Sequence, residues 1–365
     1  MGMASLGPRD PHRSGRKWKA YPAVLTLAVM AIGGGALPAA AQQTTPPTTG
    51  PTIRATVELV NVPVTATNKR GQRVIDLSMD DLKVFEDGVE QKITHFERET
   101  RTPLRIGLIL ETSNSARPKL SYEKDAAQQF VDSILGNAST KTQIFLETFD
   151  ASSSIVQDFT NDADLLNDKI QNLQAGGGKS LYDAIYAACR EKMMKSGPPE
   201  EVRRILVVVS DGLDVQSQHT LDQVVSMGRM SETMIYTVGT AAYGFSNPGD
   251  KLLEDLSTET GGFPSFPLRN APGSDEGAGY LSHKQIGDTS QNTGEGAETG
   301  AYSSERLVNL VDALQAIGRS LSEQYWISYR PLRVALDGTY RSITVETTRR
   351  GVSLRWKPGY FAAAE

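Results

Sequence analysis

Residues Leu104–Asn114, LRIGLILETSN, constrain this chain more than any other stretch. They form a short apolar run that stops abruptly at a carboxylate and small polar side chains. A run of that length, bounded by polar residues, reads as a strand buried on both faces, as in the middle of a parallel sheet. In open α/β sheets, ligands sit beyond the carboxyl ends of strands, where the strand order reverses. The polar end of this run, Glu111-Thr112-Ser113-Asn114-Ser115, is therefore the first place to look for a site.

The chain around it alternates. Strands are predicted at Leu104–Leu110, Thr142–Phe149, Ser154–Phe159, Arg204–Val209, Met234–Val238 and Gly262–Phe266. Helical spacing falls near Tyr122–Leu135, Asp162–Leu173, Leu181–Lys195, Leu221–Met230, Lys251–Glu259 and Arg306–Ser322. Such alternation predicts a doubly wound, Rossmann-like, mostly parallel sheet covered on both faces. The gap between Phe149 and Ser154 permits only a hairpin, so one antiparallel edge strand is expected. Residues Pro267–Ser304 break the pattern with Gly, Ser, Thr, Asn and Glu, and read as a disordered insertion. An ordered binding loop is the alternative, with Tyr280, Leu281 and Ile286 as its anchors.

Both flanks of this α/β segment are β-like. Val57, Leu59, Val62, Val64 and Ala66 alternate as one strand with a bulge expected near Asn61–Pro63, and Lys69-Arg70-Gly71 follows as a turn. Asp87-Gly88 joins Leu82–Phe85 to Gln91–Phe96 as a hairpin. After the α/β segment come Tyr325–Arg330, Tyr340–Thr347 and Val352–Lys357. Neither set has enough strands for a stable sheet alone. The expected arrangement is one small β-sandwich built from residues 54–100 and 324–361, with the α/β domain, 101–323, inserted between its halves.

Residues 1–41 read as a signal peptide. Arg9, Arg13, Arg16, Lys17 and Lys19 precede an apolar stretch, Ala23–Ala36, and Ala39-Ala40-Ala41 supplies small residues for cleavage before Gln42. An uncleaved anchor is the alternative, though the stretch is short for a membrane span. Residues 42–53 are then a flexible linker. Cleavage removes five basic side chains and the acidic Asp10, a loss of +4, which takes the net charge from −5 to −9. That balance argues against nucleic acid as partner. Cys189 is the single cysteine, so no intrachain disulfide forms, and its place on an apolar helix face points to packing. An exported chain without disulfides fits a periplasmic, cell-surface or secreted location.

The segments VELVNVPVTATNKRGQRVIDLSMDDLKVFEDGVEQKI, ETSNS, SLYDAI, SDG, TGG and EQYWISYRP together resemble the bacterial, acidobacterial-type von Willebrand factor A-related proteins. The resemblance covers about Ile53–Phe361. It implies an adhesive, protein-binding module with a metal-ion-dependent adhesion site, where an Asp, two hydroxyls, a Thr and a second Asp hold Mg²⁺, Mn²⁺ or Ca²⁺. A partner's acidic residue completes the shell. By position the metal residues here are Glu111, Ser113, Ser115 and Asp211, with Lys179 where the family has Thr. Two departures matter. Glu111 is a methylene longer than Asp, and Mg²⁺ tolerates little geometric error. The Lys179 ammonium could sit between Glu111 and Asp211 and replace the cation by an internal ion pair. Ser180 could supply the missing hydroxyl if the glycine loop Gly176–Gly178 shifts by one residue.

Catalytic readings are weaker. Gly176-Gly177-Gly178-Lys179-Ser180 imitates the end of a phosphate-binding loop, but G-x-x-x-x-G-K-S needs glycine at 173, which is Leu173, so an NTPase is remote. His95 falls in a predicted strand and His283 in the insertion, so neither reads as a base; His219, after Asp214 near the sheet end, reads as a surface residue, and Cys189 has no evident base partner. Asp214 is expected as a helix cap, with a contact that supports the site's own residues as the alternative. Tyr325, Trp326 and Tyr329 are expected in the sandwich core. The sequence thus predicts an exported, non-catalytic protein-binding module, with a structural envelope scaffold, its site held by a Lys179 salt bridge, as the alternative.

Overall fold

The computed structural model describes residues 59–98, 102–136, 141–199, 201–241, 248–268, 298–333 and 337–362. The expected signal peptide, the 42–53 linker and Val57 lie outside those residues. So does most of the expected insertion, with Tyr280, Leu281, His283 and Ile286. In chain order, β1 (Val60–Asn68), β2 (Leu82–Glu86), β3 (Val89–Gln91) and β4 (Ile93–Arg98) come first. The alternating segment follows: β5 (Leu104–Glu111), α1 (Leu120–Leu135), β6 (Gln143–Phe149), β7 (Ser153–Thr160), α2 (Ala163–Gln171), α3 (Leu181–Ala187), β8 (Arg203–Ser210), α4 (Leu221–Met230), β9 (Thr233–Gly239), α5 (Pro248–Thr260), β10 (Pro264–Ser265) and α6 (Glu298–Ser322). Strands β11 (Tyr325–Tyr329), β12 (Tyr340–Thr347), β13 (Val352–Trp356) and β14 (Gly359–Phe361) end the described chain.

The alternating segment forms a six-stranded sheet, ordered β10-β9-β8-β5-β6-β7, parallel except for β7. Every residue of β8 is buried, and all of β5 except Arg105, because both faces are covered. Alternation decides which residue goes where. Ile106, Leu108 and Leu110 pack with Phe130 of α1, Ile170 of α2 and Leu314 of α6 on one face. Ile109, Phe145 and Leu206 pack with Ile185 of α3, Val224 of α4 and Leu253 of α5 on the other. Each such side chain, removed from water, contributes about 1.5–3 kcal/mol. The chain runs outward from β5 to β7, then returns to β8 on the other side of β5. The strand order therefore reverses between β5 and β8, and the loops after those strands flank the crevice.

The flanking strands interleave. β13-β1-β11-β4 form one antiparallel sheet and β14-β12-β2-β3 another, each drawing strands from both ends of the described chain. Their shared core contains Val62, Val64 and Val84 from the first half and Ile327, Tyr329 and Val345 from the second. Buried phenols find partners there: Tyr329 Oη donates to Glu86 Oε2 at 2.7 Å, and Tyr325 Oη to the Val74 carbonyl at 3.1 Å. The turn at Asp87-Gly88 carries positive φ at both residues (48° and 80°), the twist a tight hairpin needs.

Three expectations change. No bulge interrupts β1: Pro63 pairs in register with Trp326, and β13 runs alongside only from Val64 onward. The proline thus sits where one side has no ladder to break. At the ends of the expected insertion that are described, Leu268 is buried and α6 already begins at Glu298, so residues 298–304 are helical. Helix propagation from the amphipathic turns after 306 carries the backbone through a segment without apolar periodicity. Trp326 is outside the sandwich core, since alternation turns Tyr325, Ile327 and Tyr329 inward and Trp326 to the opposite face.

Candidate functional site

Backbone hydrogen bonds stitch three loops together at the β5–β8 crevice. Asn114 N–H donates to the Gly177 carbonyl (3.2 Å) and Gly176 N–H to that of Thr112 (2.7 Å). The N–H groups of Val215 and Gln216 donate to the Lys179 carbonyl at 3.1 and 3.0 Å. Glu111, Ser113, Ser115, Lys179 and Asp211 consequently converge at one rim of one sheet.

Glu111 is the hub, and it is fully buried. Its Oε1 accepts from Ser113 Oγ at 2.5 Å and from Ser115 Oγ at 3.3 Å, and lies 3.2 Å from Lys179 Nζ. Its Oε2 accepts from Ser210 Oγ at 2.7 Å and from the Asp211 N–H at 3.1 Å. The Lys179 ammonium also donates to Asp211 Oδ2, and so bridges the two carboxylates. Asp211 Oδ1 accepts from the Leu213 N–H at 3.0 Å. Ser180 is not in the cluster: its hydroxyl donates to the Asp150 carbonyl at 2.8 Å.

A second lysine reaches the same cluster. Lys119, just before α1, donates to Thr240 Oγ1 at 2.6 Å and lies 3.7 Å from Glu123 Oε1 and 4.0 Å from Asp211 Oδ2. Burial works to raise the Glu111 pKa. Lys119, the Ser113 hydroxyl, Lys179 and Ser210 outweigh it and hold the carboxyl at about 2. Glu123 goes the other way: burial pushes it to about 7 against the pull of Lys119, and the Glu111 charge adds to the rise. Sequence reading missed Lys119, Glu123, Ser210 and Thr240. The only signal was that Lys119 and Glu123 stand one turn apart directly after the ETSNS loop.

The donor set, as arranged, does not fit Mg²⁺. That ion needs hard oxygens on several sides and open room for water. Here both Glu111 oxygens are committed to internal donors, Ser113 and Ser115 point at Glu111, and an ammonium holds the space between the two carboxylates. Among the described residues, no cluster of three or more His, Cys, Asp or Glu could hold a metal ion.

The other candidates fall elsewhere. Asp214 caps α3 from a distance, accepting from the Tyr182 N–H at 3.0 Å. His219 Nδ1 lies 2.6 Å from Asp183 Oδ1, with its ring stacked on Tyr186 at 3.8 Å. Asp183 also accepts from the Gln218 and His219 N–H groups, so these contacts pin the rim loop to α3. Cys189 is fully buried, and burial pushes its thiol to about 12. His95 lies exposed in β4.

A family profile for the von Willebrand factor type A domain matches residues 106–213, from β5 through the loop after β8. A domain of that kind is therefore present, and it holds all the rim residues named in the sequence. Among curated proteins, none matches. Three solved structures illustrate the structural neighbours. The three N-terminal domains of the type V pili tip protein Mfa5 from Porphyromonas gingivalis align at 20% identity, over 43% of this chain and 26% of that one, with a TM-score of 0.29. The conserved hypothetical protein BatB from Bacteroides thetaiotaomicron aligns at 13% identity, over 50% and 99%, with a TM-score of 0.36. Proximal thread matrix protein 1 of the mussel byssus aligns at 12% identity, over 71% and 50%, with a TM-score of 0.43. Among the described residues, no helix is long and apolar enough to cross a membrane.

Proposed function

We propose that this chain is an exported, non-catalytic protein-binding module whose adhesion-type rim works without a metal ion. Lys179 supplies the positive charge that a divalent cation supplies in the adhesion sites the sequence resembles. The observation that carries this reading is the Lys179 ammonium bridging Glu111 and Asp211. A protein partner then meets direct polar contacts at the rim together with the exposed apolar side chains of Leu213 and Val215 on the same loop. Export to the periplasm, surface or medium rests on the basic and apolar pattern of residues 9–41. The resemblance to acidobacterial-type relatives belongs to the same proposal.

The non-catalytic part rests on the state of the reactive side chains. Cys189 is sealed in the core, and the ammonium of the phosphate-loop-like lysine is held by two carboxylates. One observation favours the scaffold alternative: Glu111 is fully buried and offers a partner no free oxygen. Capture of partners from an envelope fraction separates the two. A binding module loses its partner on Asp211→Ala or Val215→Glu and keeps it in EDTA. A scaffold is indifferent to all three.

A further inference from the structure

A cavity of about 860 Å³ opens along the seam between the sandwich and the α/β sheet. Asn61, Pro63 and Trp326 line it from strands β1 and β11, and Pro198, Val202 and Arg203 line it from the approach to β8. That volume suits a small organic molecule, and such pockets concentrate where folded parts meet. The cavity is remote from the rim. Arg203 begins β8 and Ser210 ends it, so about 23 Å of extended strand separates the two.

One wall carries a charge that the described chain does not neutralise. Arg203 is 7% exposed, and its guanidinium donates through Nη1 to the Leu321 carbonyl (2.8 Å) and to Gln324 Oε1 (3.0 Å). Its Nε has no acceptor, and among the described residues no carboxylate pairs with it. Arg341, also buried, differs in pairing with Asp337. A buried charge is unfavourable unless paired. Burial lowers the Arg203 pKa to about 10, which leaves the group cationic at neutral pH. Beside it lies an aromatic surface, with Arg203 Cζ 5.9 Å from the centre of the Trp326 ring.

We propose that this seam cavity binds a small organic monocarboxylate with an apolar or aromatic body. The carboxylate accepts a charge-assisted hydrogen bond from Arg203 Nη2, because Nη1 already donates to Leu321 and Gln324 and Nε is shut off from solvent. The body lies against Trp326, Pro63 and Pro198. The site is independent of the rim, so the rim reading can fail without affecting it.

Calorimetric titration of the purified protein with phenylacetate, indole-3-acetate and 4-methylpentanoate tests the proposal, with phenylacetamide as the uncharged control. Saturable binding is expected for at least one acid, with the amide weaker by about tenfold or more, as loss of a charge-assisted bond implies. Arg203→Met should lose a similar factor, and Arg203→Lys part of it. His95→Trp adds bulk to an exposed wall of the cavity and leaves the guanidinium intact. It should weaken binding as well, which keeps the test decisive if the Arg203 variants fold poorly. The proposal is overturned if none of the acids binds saturably, if amide and acid bind alike, or if a folded Arg203→Met and His95→Trp both bind undiminished.

Discussion

Ser210 Oγ donates to Glu111 Oε2 across 2.7 Å, and so ties the last residue of β8 to the last residue of its central neighbour, β5. With Lys179 on the other carboxylate oxygen, Glu111 becomes a buried strut between strand ends. An adhesion site that holds metal keeps such oxygens available. Here both Glu111 oxygens are taken by internal donors.

Removing the bridging ammonium should therefore be costly. Lys179→Met leaves Glu111 and Asp211 without their shared cation, and breaking a buried pair on one side typically costs about 3–5 kcal/mol. Glu111→Gln in the same chain should recover part of that loss. Urea unfolding of the single and double variants should give a coupling of about 0.5–3 kcal/mol. Additive losses would mean that the two residues do not act as a pair.

Glu147 sets a slope in stability with pH. It is buried in β6, and burial pushes its pKa to about 7, against a Ser153 hydrogen bond and the Lys192 charge. The folded state thus holds a proton that the unfolded chain releases near the ordinary glutamate value of 4.5. Between those pH values the unfolded state binds fewer protons, so stability falls as pH rises. The fall amounts to about 3 kcal/mol for this group. Glu147→Gln should flatten the fall and raise Tm at pH 8. An unchanged slope by calorimetry would remove Glu147 as its source.

Gly212 turns the chain at the rim with φ of +78°, and a Cβ there would lie 2.3 Å from the Gly249 carbonyl oxygen. Gly212→Ala combines left-handed strain of about 1–2 kcal/mol with a backbone clash. We expect a loss of at least about 2 kcal/mol in urea unfolding. A variant as stable as the parent would mean that the loop readily adopts another path.

Cys189 should resist alkylation. Its thiol is fully buried and held near 12, so iodoacetamide at pH 8 should label it only as fast as the protein opens. Labelling at the rate of a free thiol would place it outside the core.

The fold was readable where physical periodicity is strong. The both-faces-buried β5, the hairpin that makes β7 antiparallel and the interleaved sandwich all followed from alternation and gap length. What escaped depended on tertiary register. Trp326 faces Arg203 instead of the sandwich core because its neighbours at 325 and 327 take the inward positions. Early α6 has no apolar pattern of its own to announce it. At the rim, residues 111, 179 and 211 were grouped by the resemblance to von Willebrand factor A-related proteins, since Lys179 lies between two helices and no strand end marks it. Lys119 and Thr240 arrive from elements whose approach no local motif records. Whether Ser180 or Lys179 would face Glu111 was open until the loop's backbone bonds to Asp150 fixed its register.

Mg²⁺ titration by calorimetry into the parent protein and into Lys179→Thr probes the lysine-for-metal exchange at its root. No binding heat is expected from the parent, and saturable binding only in the variant, lost again on adding Asp211→Ala. One-site Mg²⁺ binding by the parent, abolished by Asp211→Ala, would show instead that Lys179 yields its place to the ion.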